Sequence, residues 1–185
     1  MDDRPVMVVE TSTTERIISK PQEEIIKEAK RLYENCLYSS KSHFVVAGFW
    51  GDFHLWIGIP TVILAGTSGT LAFAEFQYHS TIAGILSIIV VVLTSVATFL
   101  NPKERASTHL SAGNNYDSLL TRLRIFWSID CWRENSEDIL TDKLKVFSEE
   151  RDRLNRECPQ PPKWAYKRGK KGIEEGEVEY YVDKE

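Results

Sequence analysis

Between Phe53 and Pro102 the sequence carries a single ionised side chain, Glu75, while both flanks are dense in Lys, Arg, Glu and Asp. Two apolar stretches fill this region, Leu55 to Ala74 and Thr81 to Leu100, each of about 20 residues. A helix of about 20 residues, rising about 1.5 Å per residue, covers the roughly 30 Å of a bilayer's hydrocarbon core. The sequence therefore predicts an all-α membrane protein with two transmembrane helices.

Residues 75–80 separate the two stretches, which predicts a tight transmembrane hairpin with an external loop. This loop has no Lys or Arg, whereas Lys41 precedes the hairpin and Lys103 and Arg105 follow it. Because Lys and Arg near membrane spans favour the cytoplasmic side, both termini are expected in the cytoplasm, below the cell inner (cytoplasmic) membrane. A buried hairpin in a soluble core is the alternative, but it would need more covering helix than the remaining chain offers.

The segment before the hairpin, residues 19–54, is predicted to be a cytoplasmic amphipathic and interfacial helix. Ser19 and Gln22 flank a proline in a capping arrangement that marks the start of a helix. Apolar side chains then recur at helical spacing opposite a charged face. The end of the segment is rich in aromatic residues, which favour the membrane interface, and is expected to be broken at Gly48 and Gly51.

After the second stretch, Asn101 as a cap and Pro102 as first residue predict a new helix, with Glu104 accepting its first N–H groups. Residues 101–158 are expected to form a long cytoplasmic helical region that bends at the polar cluster of residues 133–138. Side chains in steps of three and four form a seam that needs a partner helix. The seam consists of His109, Gly113, Tyr116, Leu120, Leu123 and Trp127.

Both ends of the chain are expected to lack regular structure. Residues 1–18 contain no apolar core of a secretory signal and are predicted to be flexible. Residues 159–185 begin with prolines and pass from a basic run to an acidic one, which favours a charged, disordered tail. If the long helix turns back near Asn135, the basic run returns toward the bilayer and contacts anionic lipid, at about 1 kcal/mol per charge. These lipid-contact candidates are Lys163, Lys167, Arg168, Lys170 and Lys171.

The layout over roughly residues 20 to 160 resembles that of SLATT domains, two-transmembrane effectors associated in bacterial conflict systems with nucleotide-synthesising and nucleotide-sensing proteins. The resemblance lies in the N-terminal helix, the tight hairpin, and the post-membrane helix NPKERASTHLSAGNNYDSLLTRLRIFW, with its histidine and the tyrosine seven residues later. It implies an oligomeric protein that breaches or depolarises the membrane when a sensor detects phage infection. Since the sequence contains no nucleotide-sensing domain, any sensor is expected to be a separate protein.

Small side chains in both apolar stretches predict close helix contacts, because the hydrophobic effect does not drive helices together inside a bilayer. Their number exceeds what one pair of helices can use, which favours a homo-oligomer. A sharper hypothesis is that hydroxyl groups line a water-filled path, with Glu75 and His79 at its outer mouth; simple packing is the stronger alternative for each residue. The packing or pore-lining candidates are Ala65, Gly66, Thr67, Ser68, Gly69, Thr70, Ala83 and Ser87.

Chemical motifs are not evident in this sequence. His109 is interpreted as a packed seam residue rather than a proton switch. The 4 histidines show no spacing that would bring two imidazoles onto one metal, so no metal site is predicted. No phosphate loop or nucleophile motif is found, and we predict neither an enzyme nor a cofactor. The 3 cysteines are interpreted as structural.

The expected function is that of a membrane effector, with membrane lipids, further copies of the chain and a separate sensor protein as partners, and no nucleic acid. Two other classes stay open. A membrane-anchored scaffold would use the hairpin only to hold helices that recruit cytoplasmic partners. A regulatory subunit would instead contact a different membrane protein through the hairpin.

Overall fold

The computed structural model describes residues 19–134 and 136–180. All regular elements within these residues are helices, which confirms the predicted all-α class. Two helices, in Lys20–Ala72 and His79–Arg133, are long and apolar enough to cross a membrane. The apolar window of each is only 6 % buried, so the described chain does not cover these helices as a soluble core would.

Helix α1 (Lys20–Ala72) runs unbroken for 53 residues, which corresponds to about 80 Å. Ser19 caps it, and the Ser19 hydroxyl accepts the backbone N–H of Gln22 at 3.2 Å. The expected break at Gly48 and Gly51 is wrong. Both glycines lie inside the helix with open space around them, and hydrogen bonding along the helix continues past them. The charged segment and the first apolar stretch therefore form a single helix.

The chain reverses within residues 73–78, and helix α2 (His79–Leu100) packs back against α1. The reversal begins slightly earlier than the predicted loop. Tyr78 adopts a left-handed backbone conformation with φ 71°, which is uncommon for a bulky residue. This conformation turns the chain sharply into the first residue of α2.

Asn101 joins α2 to the next helix, α3 (Pro102–Ile125), which continues through a π-helical turn (Phe126–Asp130) into the short α4 (Cys131–Arg133). Asn101 is the N-cap residue and Pro102 the first residue of α3, as predicted, but the Asn101 backbone is left-handed with φ 43° and its side chain makes no capping hydrogen bond. The Asn101 side chain instead donates to the carboxylate of Glu104. Backbone bonds from Asn101 to Ala97 and from Arg105 to Asn101 still bridge the joint.

A single antiparallel pairing holds α1 against α2, α3 and α4. Near the chain reversal, Ser68 of α1 contacts Ser87 of α2. Further along, Ser40 donates to the carbonyl of Gly113 at 3.2 Å. At the far end, the Gln22 side chain donates to the carbonyl of Cys131. The helices thus keep one register over nearly the whole length of α1.

The hydrophobic core lies at the end of the molecule away from the reversal, where α1 and α3 meet helix α5 (Glu137–Glu157). Leu119 and Leu123 of α3 and Leu140 of α5 are fully buried. Burial of each such side chain stabilises the fold by about 1.5 to 3 kcal/mol. Between residues 53 and 100, by contrast, Ser68 and Ala83 are the only buried residues.

Helix α5 returns along α3 rather than continuing it at a bend. Its start is capped by Ser136, whose hydroxyl accepts the N–H of Ile139. Arg122 of α3 pairs with Glu150 of α5 at 2.5 Å, and this pairing fixes the antiparallel direction together with contacts nearer both ends of α5. The predicted bend near residues 133–138 is therefore a reversal, and it sends the end of the chain back toward the apolar helices.

The expectation of a disordered tail is wrong for Lys163–Glu174, which form helix α6. Ala165, Gly169 and Gly172 are buried on the face of α6 that includes its contact with α1. Composition suggested disorder because these buried residues are small and most of the other side chains of α6 are charged. Residues 1–18 and 181–185, for which flexibility was also expected, lie outside the described residues.

We predict that Gly169→Leu releases α6 from α1. A Cβ atom at this position would lie 3.2 Å from the Ser42 backbone nitrogen, so a larger side chain forces the helices apart. Trypsin should then cleave the basic residues of α6 at least about tenfold faster, because cleavage follows the population of the open form. Glu174→Leu, at an exposed position of the same helix, is the control. Equal cleavage rates in both variants would contradict the docking.

Candidate functional site

The contact between the two apolar helices is built around one hydroxyl group. Ser68 of α1 is buried, donates to the carbonyl of Ala83 at 2.9 Å, and shares a hydrogen bond of 2.7 Å with Ser87. Both partners lie on α2 one helical turn apart, so a serine side chain fits into the groove between them. Three of the predicted packing residues therefore meet within the chain.

The other packing candidates lie on exposed surface of α1. A Cβ atom added to Gly66 or Gly69 would have no neighbouring helix or side chain of the described chain within 4 Å, and Ala65 is also exposed. The hydroxyls of Thr67 and Thr70 bond to carbonyls of their own helix at 2.8 and 2.9 Å. This face of α1 is open, and its hydroxyls are satisfied without a partner or water.

At the reversal, the two residues predicted for an outer pore mouth differ in their surroundings. Glu75 is exposed. His79 is half-buried, and its Nδ1 lies 3.2 Å from the carbonyl oxygen of Leu71, to which it donates. The imidazole thus helps to close the end of α1 on the start of α2, which is a structural task.

The predicted seam of α3 faces α1 and α5. His109, Gly113, Tyr116, Leu120 and Leu123 are buried, and Trp127 is half-buried beneath the Lys30 ammonium, which lies 4.8 Å from its ring centroid. The partner that the spacing required is α1, antiparallel within the same chain.

A line of polar side chains crosses the seam at its midpoint. His43 of α1 and His109 of α3 approach through their Nδ1 atoms at 3.0 Å. The ring of His43 also stacks on Tyr116, with centroids 5.6 Å apart. Tyr116 donates its hydroxyl to Asn155 of α5 at 2.7 Å. The line therefore connects α1, α3 and α5, the three helices that surround the hydrophobic core and are called the bundle below.

The contact between the two histidines requires one Nδ1 to donate and the other to accept, so at least the accepting ring is neutral in the folded chain. Burial, and then His109, lower the pKa of His43 to about 4. Burial, and then Arg105, lower the pKa of His109 as well.

Sequence reasoning did not place His43 in the seam, because it considered the spacings of the histidines only for metal binding. The antiparallel register brings together two histidines that lie 66 residues apart. The only signal in the sequence was that His43 falls on the apolar face of its helix. Among residues 19–134 and 136–180, no group of three or more His, Cys, Asp or Glu side chains could hold a metal ion.

The cysteine side chains lie in or against the hydrophobic core, where burial disfavours the thiolate form. Burial raises the pKa of Cys36 to about 12 and that of Cys131 to about 11. Because the thiolate is the reactive form, both side chains are held in an unreactive state. Cys158 is half-buried, and its pKa is also raised by burial.

The basic lipid-contact candidates are all exposed on α6: Lys163, Lys167, Arg168, Lys170 and Lys171. Two of these five also form ion pairs, Lys170 with Glu174 inside the helix and Lys171 with Glu175 just past its end. The Trp164 ring, at the start of α6, meets Phe49 edge to face with centroids 5.3 Å apart. Phe49 lies one helical turn before Phe53, where the nearly uncharged part of the sequence begins. The start of α6 therefore lies beside the beginning of the apolar stretch of α1.

Comparison of the chain with family models, curated proteins and solved structures finds no match.

We predict that the folded chain loses stability as the pH falls from about 6.5 to about 4. The unfolded chain takes up a proton on His43 near pH 6.5, whereas the folded chain resists it down to about pH 4. The free energy of unfolding should fall by up to about 3 kcal/mol across this window and be highest above it. His43→Gln should flatten the dependence in urea unfolding of the full chain in mild detergent.

His54→Gln serves as the control, because His54 is exposed on the same helix. It should leave the pH dependence of unfolding as it is in the parent chain. A steep dependence that survives His43→Gln would show that the paired imidazoles are not its source.

Proposed function

We propose that this chain is a two-span membrane protein that assembles into oligomers and, when activated, permeabilises or depolarises the cytoplasmic membrane. The observation that carries the proposal is the uncovered apolar surface of the paired helices. Large side chains such as Trp56, Val62 and Phe99 are 78 %, 73 % and 86 % exposed. Water is a poor solvent for so much apolar surface, and a bilayer is a good one.

The proposed orientation places residues 73–78 outside and the helical bundle in the cytoplasm. The reversal has no Lys or Arg, whereas the bundle carries many at the other end of both helices. Aromatic residues lie where the apolar surface ends, with Phe49, Trp50 and Phe53 in mutual ring contact. Such a cluster is typical of a membrane interface.

Self-association is proposed for the open face of α1 around Gly66 and Gly69. Small residues four or three apart let helix backbones approach closely in lipid, where dispersion forces and hydrogen bonds drive association. Within the chain, α2 already occupies the Ser68 side of α1, so another helix can reach only the open face. A second copy supplies such a helix.

Activation is proposed to start in the bundle, with a separate nucleotide-sensing protein as the trigger and antiphage defence as the setting, as the resemblance to SLATT domains implies. The support for this step is mechanical: α1 belongs both to the bundle and to the apolar pair without interruption. A partner that tilts the bundle therefore moves the span.

We predict that an impermeant thiol reagent labels the variant Gln77→Cys only from outside the cell and the variant Lys167→Cys only from the cytoplasm. Both variants are made in a chain whose native cysteines are replaced by serine or alanine. Labelling intact cells and then inverted membrane vesicles checks the result. Labelling of both sites from one side would contradict the proposed orientation, and recovery of the chain without detergent would contradict membrane insertion.

We predict that overexpression of the chain drives its assembly by mass action even without the sensor, so that it dissipates the membrane potential of bacteria, releases dye from liposomes and yields ladders of cross-linked subunits. Gly66→Leu should abolish the leak and the cross-linked ladders, because it fills the open face at a position where an added Cβ atom meets no other part of the described chain within 4 Å. Ile63→Leu, at a site that is 61 % exposed, adds no bulk and should retain both. A chain that stays monomeric and causes no loss of membrane potential and no dye release, even with the sensor present, would contradict the proposal.

A membrane anchor or scaffold is the second candidate. It is favoured by the self-satisfied hydroxyls of Thr61, Thr67 and Ser95, each of which donates to its own helix four residues back. An anchor would cross-link or recruit a cytoplasmic partner without any leak. A regulatory subunit would cross-link to a different membrane protein instead.

A further inference from the structure

A cleft of about 380 Å³ lies where α2 ends and α3 begins. Its apolar side is formed by Phe99 and Leu100, the last residues of the second apolar helix. The other side carries polar groups of the first two turns of α3, and Pro159 of the segment between α5 and α6 also lines the cleft. The volume is within the range of small-molecule sites.

Arg105 is fixed at this cleft by two contacts that leave most of its guanidinium available. Its Nε donates to the carbonyl of Leu100 at 2.7 Å. Its guanidinium carbon lies 4.9 Å from the ring centroid of Trp50, over the face of the indole. Among the described residues, the two terminal nitrogens have no hydrogen-bond or ion-pair partner. An arginine held in this way presents two parallel N–H donors, the geometry that matches a phosphate group.

Glu104 gives the cleft a negative charge beside this positive one. Its carboxylate accepts a hydrogen bond from the Asn101 side chain, which also lines the cleft. Within the described part of the chain, no ion pair joins Glu104 to Arg105. A cleft that carried only Arg105 would suit any phosphate, but the carboxylate disfavours an anion that lacks a cation of its own.

The chemistry that fits both charges is a phosphate joined to a primary ammonium by a short linker. We propose that the cleft binds the headgroup of phosphatidylethanolamine, with the phosphate on Arg105 and the ammonium on Glu104. The apolar side at Phe99 and Leu100 then accommodates the start of the acyl chains. The inference rests on the membrane insertion proposed above, since it needs Leu100 to lie at the edge of the bilayer.

The headgroup charges separate this lipid from its common neighbours. Phosphatidylglycerol offers a phosphate and no ammonium, so Glu104 repels it. Phosphatidylcholine offers a quaternary ammonium without an N–H, so it cannot donate to the carboxylate. The site should therefore distinguish the three lipids, although all of them carry the same phosphate.

The experiment is native mass spectrometry of the full chain released from detergent micelles that contain the three lipids in equal amounts. We expect phosphatidylethanolamine to be retained about tenfold over the other two, as one charge-assisted hydrogen bond would give. Glu104→Gln should remove the preference and raise phosphatidylglycerol retention. Arg105→Gln should lower retention of all three. Lys103→Gln, an exposed neighbour that does not line the cleft, is the control and should behave as the parent chain.

Equal retention of the three lipids by the parent chain, or an unchanged preference in Glu104→Gln, would overturn the assignment. Soluble phosphoethanolamine that competes as well as the lipid would also overturn it, because the apolar side would then contribute nothing. Circular dichroism of each variant establishes that it is folded. Lipid retention is measured without a leak assay. A chain that does not permeabilise membranes could therefore still show the lipid preference, and a chain without the preference could still permeabilise membranes.

Discussion

The antiparallel pairing of α1 with α2 and α3 is held by different forces along its length. In the bundle, the pairing buries leucine side chains such as Leu119 and Leu123, and the hydrophobic effect stabilises it strongly. In the apolar half the pairing has Ser68 with Ala83 and Ser87, and such contacts in lipid average about 0.6 kcal/mol each. Most of the stability of the pair therefore resides in the bundle, and most of the apolar half is left uncovered by the described chain.

The polar line from His43 through Tyr116 to Asn155 sets the register of this pairing. Leucine side chains tolerate a slip of one helix along another, because any apolar neighbour satisfies them. A buried imidazole that needs one particular nitrogen opposite it does not. A slip of one turn would leave both histidines buried without partners, at a cost of about 1 to 3 kcal/mol for each. The same register places Ser68 against its partners on α2, so the polar contacts at the two levels support each other.

The sequence identifies the features that depend on periodicity and composition. The apolar stretches, the cap at Ser19 and the seam of α3 are evident because each is a local pattern of side chains. The conformation of Asn101 is not, because its left-handed backbone depends on how α2 and α3 share α1. The pair formed by His43 and His109 depends on the antiparallel register, which no local pattern encodes. Helix α6 is not evident for a third reason: two of its buried residues, Ala165 and Gly169, are small and add little to a count of apolar side chains.

A path for ions cannot be formed by one chain, because two helices in direct contact enclose no space between them. In the proposed assembly, several copies would have to enclose the water, and the polar groups that face it would have to be released from the bonds they make within their own helices. The hydroxyl of Thr67, which bonds to the Ile63 carbonyl, is exposed and can exchange that bond for water without disturbing the contact at Ser68. Ser68 itself cannot, since it holds α2 in place. An assembly that conducts would therefore form on the open face of α1 and keep the pair of helices intact, with the bundle setting how α1 is tilted in each copy.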